Sequence, residues 1–338
     1  MERKSNYNKI LFRAGVEING FLYYSAWNSN GLFKMNKMDN CIQIIDVFET
    51  NMLSQLHEFA FEYNNEIWFI PSYICEKIAI YNIDEGRMRY LEFPKYRYAC
   101  NNRPFMGSCI RYNRIWLFPA SIGAVLEIEL LTGEMHYHYL MSKNEEEKIN
   151  KNRFIYSSYF VEENKVYLCP WGEKYITSFN MYDLVVKKND LEIPKYCYKN
   201  IIIMGDDVIL FPEKLGEGII VYNIKEKRQI KKLCIQYNNL CDIVILEGYK
   251  AFILPNKAKE MIVIDLEKWE MQFIDNIDID GDVVWYEVRS ILNNKYIIPY
   301  NERKDMLYFE ENKFKIFNVQ HYIDEEINQL LLKLNLNK

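Results

Sequence analysis

Short apolar runs punctuate this chain at nearly even intervals, and six of them end in proline: IWFIP, IWLFP, VYLCP, VILFP, FILP and YIIP. Their prolines are Pro71, Pro119, Pro170, Pro212, Pro255 and Pro299, separated by 48, 51, 42, 43 and 44 residues. A degenerate seventh copy, NGFLYYSAW, places Ser25 in the proline position, 46 residues before Pro71. Ten or eleven residues after each anchor, another apolar run closes on a polar residue: Asn36, Asn82, Glu129, Asn180, Asn223, Asp265 and Glu310.

Each repeat contains four short strand patterns. In the second they are HEFAFEYN, EIWFIP, KIAIYNI and MRYLEFP, separated by turn letters such as Asn64-Asn65 and Asp84-Glu85-Gly86. Proline at a strand end removes no central ladder bond. Four strands every 40 to 50 residues or so is the period of a propeller blade. The pattern therefore predicts an all-β, seven-bladed β-propeller of four-stranded blades over residues 1–320. Sandwiches do not give seven copies, and β-helix coils are shorter. The first strand of a blade lies nearest the axis, and small residues occur there: Ala14-Gly15, Ala60, Gly107-Ser108 and Ser157-Ser158.

The stretch IWFIPS, a short loop, KIAIYNID, a turn and MRYLEFPKYR resembles a kelch repeat. Pro71-Ser72 stand where kelch proteins carry a Gly-Gly doublet, Tyr81-Asn82 match the Tyr-Asp element, and Pro94 and Arg97 fall near the Pro/Arg element. The resemblance extends loosely over residues 9–319 and implies a propeller.

Composition narrows the picture. At 338 residues and 49% hydrophobic, the chain can bury a large core, and its 27 tyrosines favour strands. A net charge of −5 with no long basic run argues against a nucleic-acid partner. No run approaches a membrane span, and the amino terminus lacks a secretory apolar segment. The eight cysteines form no CxxC pair, as expected of reduced thiols in a soluble cytoplasmic protein. After the last blade, Ile323, Ile327, Leu330, Leu331 and Leu334 fall on one face of a predicted helix in residues 321–338. That amphipathic tail either packs on the propeller or docks a partner or second copy.

Loops leaving the second and fourth strands emerge on one face, where function commonly sits. The post-proline loops contribute Trp27, Tyr73, Trp171, Tyr300 and Arg303. The crossings between blades contribute Tyr96, Arg97, Tyr98, Arg103, Lys195, Tyr196, Tyr198 and Trp285. Tyr, Trp and Arg are the residues enriched at binding hot spots; the competing expectation is that the aromatics pack between blades. Two of these crossings, LEFPKYRY at 91–98 and LEIPKYCY at 191–198, are near copies that differ at Phe93 against Ile193 and at Arg97 against Cys197. The longest insertion, residues 141–154, is charged without an apolar face and reads as a solvated loop or frayed helix.

Candidate chemistry is sparse. NIDIDGDVVWYE matches calcium-loop spacing with Asn276, Asp278, Asp280 and Glu287 as oxygen ligands, although it also reads as a strand edge. His136 and His138 would share one strand face, without an evident third metal ligand. No catalytic motif or phosphate-cradling glycine loop is present. These features point to a non-catalytic recognition or scaffold module for a protein or peptide. The alternatives are a glycan-acting hydrolase or lyase with an axial site, and a lectin-like module binding carbohydrate.

Overall fold

Each anchor run becomes the second strand of a four-stranded antiparallel sheet. The computed structural model describes residues 12–26, 29–39, 41–50, 56–98, 103–148, 154–193, 198–236, 241–255, 260–275, 290–292, 295–299, 305–310 and 313–318. Six sheets occupy residues 12–275, with second strands Phe21–Ala26, Glu66–Pro71, Arg114–Pro119, Lys165–Pro170, Asp207–Pro212 and Lys250–Pro255. A further set of four paired strands, Ser290–Leu292, Lys295–Pro299, Asp305–Glu310 and Lys313–Asn318, completes the order. In every sheet the strands pair in chain order, first to fourth.

Two compact units divide the chain: residues 1–93 with 284–338, and residues 94–283. In the first unit, the first strand Phe12–Ile18 lies beside the first strands His57–Tyr63 and Ser290–Leu292. In the second, Tyr156–Glu162 lies beside Phe105–Arg111 and Tyr198–Met204.

Local chemistry accounts for the repeating columns. The first hairpin of each sheet turns in two residues, and at Asn19-Gly20, Asn64-Asn65 and Tyr112-Asn113 both residues have positive φ. That is the type I′ geometry matching strand twist, and asparagine tolerates it. The polar column caps the third-to-fourth turn: the side-chain oxygens of Asn36, Asn82, Asn180, Asn223 and Asp265 accept backbone N–H groups two or three residues on. Such side chains replace a backbone turn bond. Pro71 sits opposite His57 of the first strand, beyond the last third-strand pair, Phe69 with Ala79, so its missing N–H breaks no ladder bond. In the first sheet the corresponding position opposite Phe12 is Ala26, with Ser25 one residue earlier.

The sequence pattern did not disclose a bulge in the first strand of each of the six sheets. The register skips Arg13, Glu58, Met106, Ser157, Lys199 and Asp242. A bulge of this kind re-aims a side chain beside the strand start. In the first unit Arg13 uses it to pair with the Glu58 carboxylate and to donate from Nε to the His57 carbonyl oxygen, 3.1 Å away.

Within each unit neighbouring sheets pack face to face. In the second unit Trp116, Phe118 and Val125 meet Val166, Leu168 and Phe179 of the next sheet. Gly107 permits the close approach there, since a Cβ would lie 2.1 Å from the Tyr159 ring. Among the described residues the α-helix is Lys143–Lys148, inside the long insertion. The expected tail helix at 321–338 lies outside the described residues. No helix among them is long and apolar enough to cross a membrane.

Candidate functional site

The loop face of the second unit is stitched together by backbone bonds. Ala120 N–H donates to the Pro104 carbonyl oxygen (2.7 Å), Ile155 N–H to that of Ala120 (2.6 Å), and Trp171 N–H to that of Ile155 (2.9 Å). Ser121 Oγ donates to the Arg103 carbonyl oxygen at 2.7 Å. This lattice fixes Arg103, Phe154 and Trp171 side by side. The Phe154 and Trp171 ring centroids are 6.4 Å apart, and the Arg103 guanidinium lies 6.0 Å from the Phe154 ring centre. Phe154 is 42% exposed and Trp171 40% exposed. Two expected residues, Arg103 and Trp171, thus come together around an aromatic that sequence reasoning treated only as the end of an insertion.

Tyr96 and Arg97 have a different setting. Tyr96 is only 6% exposed and donates from its hydroxyl to Glu146 Oε1 at 2.6 Å. Arg97 pairs with Glu146 Oε2 through Nη2 and through Nε, the latter at 2.7 Å. Gly123 N–H reaches Oε1 at 3.0 Å. Burial, followed by the Glu146 bond, raises the Tyr96 phenol, which therefore stays a proton donor. Burial opposes the Arg97 charge, but Glu146 outweighs it and holds the guanidinium above its ordinary value. Arg97 also lies 4.0 Å above the Tyr139 ring centre. Tyr98 donates to the Lys143 carbonyl oxygen at 3.1 Å. The insertion, expected as a solvated loop or frayed helix, forms a helix over Lys143–Lys148 whose Glu146 is buried against the preceding crossing.

Elsewhere the expected residues disperse. Tyr198 is fully buried, and Tyr73 is half-buried in the first unit. In the same unit a shallow recess with room for little more than a water molecule is lined by Phe48, Thr50, His57, Glu76 and Tyr90, among others, and Tyr73 is not part of it. His138 bonds to the Glu127 carboxylate, which also accepts Arg114 Nε at 2.8 Å, while His136 is exposed. Among the described residues no group of three or more His, Cys, Asp or Glu could hold a metal. Trp27, Lys195, Tyr196, Trp285, Tyr300 and Arg303 lie outside the described residues, as do the calcium candidates Asn276, Asp278, Asp280 and Glu287.

Consecutive four-stranded antiparallel sheets, each paired in chain order, define a β-propeller fold. Solved structures share it. Virginiamycin B lyase from Staphylococcus aureus matches with a TM-score of 0.57 at 13% identity, over 85% of this chain and 95% of that one. YCF48 bound to D1 peptide matches with a TM-score of 0.63 at 7% identity, over 90% and 92%. BamB from Moraxella catarrhalis matches with a TM-score of 0.55 at 10% identity, over 85% and 80%. No protein-family model and no curated protein sequence matches the chain.

Proposed function

We propose that this chain is a non-catalytic, cytoplasmic recognition module, a kelch-like propeller of seven blades that binds a protein or peptide through its loop face. The observation that carries the reading is the exposed Phe154–Trp171 pair beside Arg103, fixed on a hydrogen-bonded loop lattice. Rigid aromatic and arginine side chains of this kind dominate binding energy at interfaces. YCF48, a structure of the same fold, holds a peptide, which supports the reading by analogy of fold.

The enzymatic alternative, a glycan-acting hydrolase or lyase, draws on charged residues carried by the first-strand bulges. Glu58 is, however, already committed to Arg13 and to Ser72 Oγ at 3.4 Å. It is a poor candidate for acid–base work.

Selection of a random peptide-display library against the protein tests the proposal. Selected peptides should lose at least about thirtyfold in affinity on the Phe154→Ala/Trp171→Ala double variant, the loss typical of hot-spot truncation. Both side chains are exposed, so the melting temperature should stay unchanged. An empty selection, or peptides indifferent to both substitutions, would overturn it.

A further inference from the structure

The helix Lys143–Lys148 reads KNEEEK, and the residue it buries is an acid, Glu146, 7% exposed. A surface helix ordinarily docks through an apolar stripe. This one contributes a carboxylate instead. Glu146 receives donors from Tyr96, Arg97 and Gly123, and the rings of Tyr137 and Tyr139 adjoin this cradle. Gly123 clears the space: a Cβ there would lie 3.1 Å from Glu146 Cδ. Tyr98 extends the cradle to Glu147 at 3.1 Å. Charge-assisted bonds to both carboxylate oxygens are a recurrent mode of acidic-motif recognition.

The duplicated crossing sharpens the point. LEIPKYCY has no arginine where LEFPKYRY has Arg97, and residues 234–240 (CIQYNNL), two crossings after the first copy's insertion, contain no acid. Arginine and acidic insertion occur together.

We propose that Tyr96, Arg97 and Gly123 form a recognition site for a glutamate-bearing acidic peptide, and that residues 142–148 occupy it in cis as an autoinhibitory mimic. This deepens the reading of the loop face as a recognition surface and rests on it for the partner's class. The occupying segment leads in sequence to Phe154 of the exposed aromatic pair. A tethered occupant acts at an effective concentration on the order of millimolar. A partner must therefore displace it, or the insertion must be drawn aside.

The probe is a fluorescein-labelled peptide MSKNEEEKI, followed by anisotropy on the full chain. Two variants empty the cradle: Glu146→Gln, and replacement of residues 142–153 by a Gly/Ser linker of equal length. Both should bind the peptide at least about tenfold more tightly than the unaltered chain, as expected for one charge-assisted bond set released from competition. Adding Arg97→Ala, or replacing the peptide's middle glutamate by glutamine, should abolish that gain. If the linker variant does not fold, Glu146→Gln decides. Binding no tighter than to the unaltered chain, or gain that survives Arg97→Ala, overturns the proposal. The Phe154/Trp171 measurement is independent: its failure with a positive result here removes only the aromatic surface, and the reverse removes only the acidic-peptide site.

Discussion

His57 is buried between the rings of Phe48 and Phe69, whose centroids are 4.3 and 5.3 Å away, and its Nδ1 has no partner among the described residues. Burial first, and the Arg13 charge second, lower its pKa to about 3. The folded imidazole thus stays neutral where the unfolded one takes a proton, below about pH 6.5. The unfolded state binds more protons in that window. Stability is full above pH 6.5 and falls as pH drops toward 3, by roughly 2 kcal/mol at pH 5 for this group. His57→Phe should flatten that decline, read as melting temperature at pH 7.5 and pH 5. Parallel curves for the two proteins would refute the assignment. Nothing around His57 in the sequence distinguishes it, because its environment comes from Phe48 and Arg13 of the neighbouring sheet.

The insertion helix shows what is legible at the scale of an element. Ser142 and Glu145 form a capping box: Glu145 N–H donates to Ser142 Oγ at 3.3 Å, and Ser142 N–H donates to Glu145 Oε2 at 2.8 Å. Lys188 also bonds Glu145, at 2.8 Å. That bond first, then those of Ser142, lower the Glu145 carboxyl to about 2. Its stabilising contribution is present above the ordinary carboxylate range and is lost as pH falls through that range toward 2, weakly, because the pair is exposed. Ser142→Ala should cost the helix about 1 kcal/mol, so amide exchange over Lys143–Lys148 should speed by about fivefold. Unchanged exchange would mean that the Glu146 cradle alone holds the helix. The Ser-x-x-Glu signal stood in the sequence, but the charged composition of the segment pointed to solvent. What buries Glu146 is a crossing some fifty residues earlier, beyond any local pattern. Turns were easier: Asn82 and Pro71 act through their own backbone neighbours, so their columns survive in the sequence. The Arg13 and Glu58 bulges are register events between strands and leave no mark in periodicity.

For the whole molecule, the repeat carried the fold because every sheet solves the same problem with the same local parts. The loop-face aromatics did not repeat, so composition alone could not separate exposed Trp171 from buried Tyr96. The cysteines test how far burial is a property of the entire fold. Cys41, Cys75 and Cys234 are exposed, Cys169 and Cys241 are buried, and Cys109 is half-buried. Burial raises the thiols of Cys109 and Cys169 to about 12. Since the thiolate is the reacting form, both exposure and pKa protect these two. Among the described cysteines, native-state alkylation with iodoacetamide at pH 8, read by peptide mass spectrometry, should label Cys41, Cys75 and Cys234 first. Cys169 and Cys241 should react at least about a thousandfold more slowly, because reaching them requires opening a fold stable by about 5 kcal/mol or more. Denaturant should collapse that ratio at one midpoint for Cys169 and Cys241 if the sheets of their unit open together, and at two if those sheets open separately. Early labelling of Cys169 would contradict the packing of its sheet against the next, where Ile201, Ile203 and Leu210 cover it.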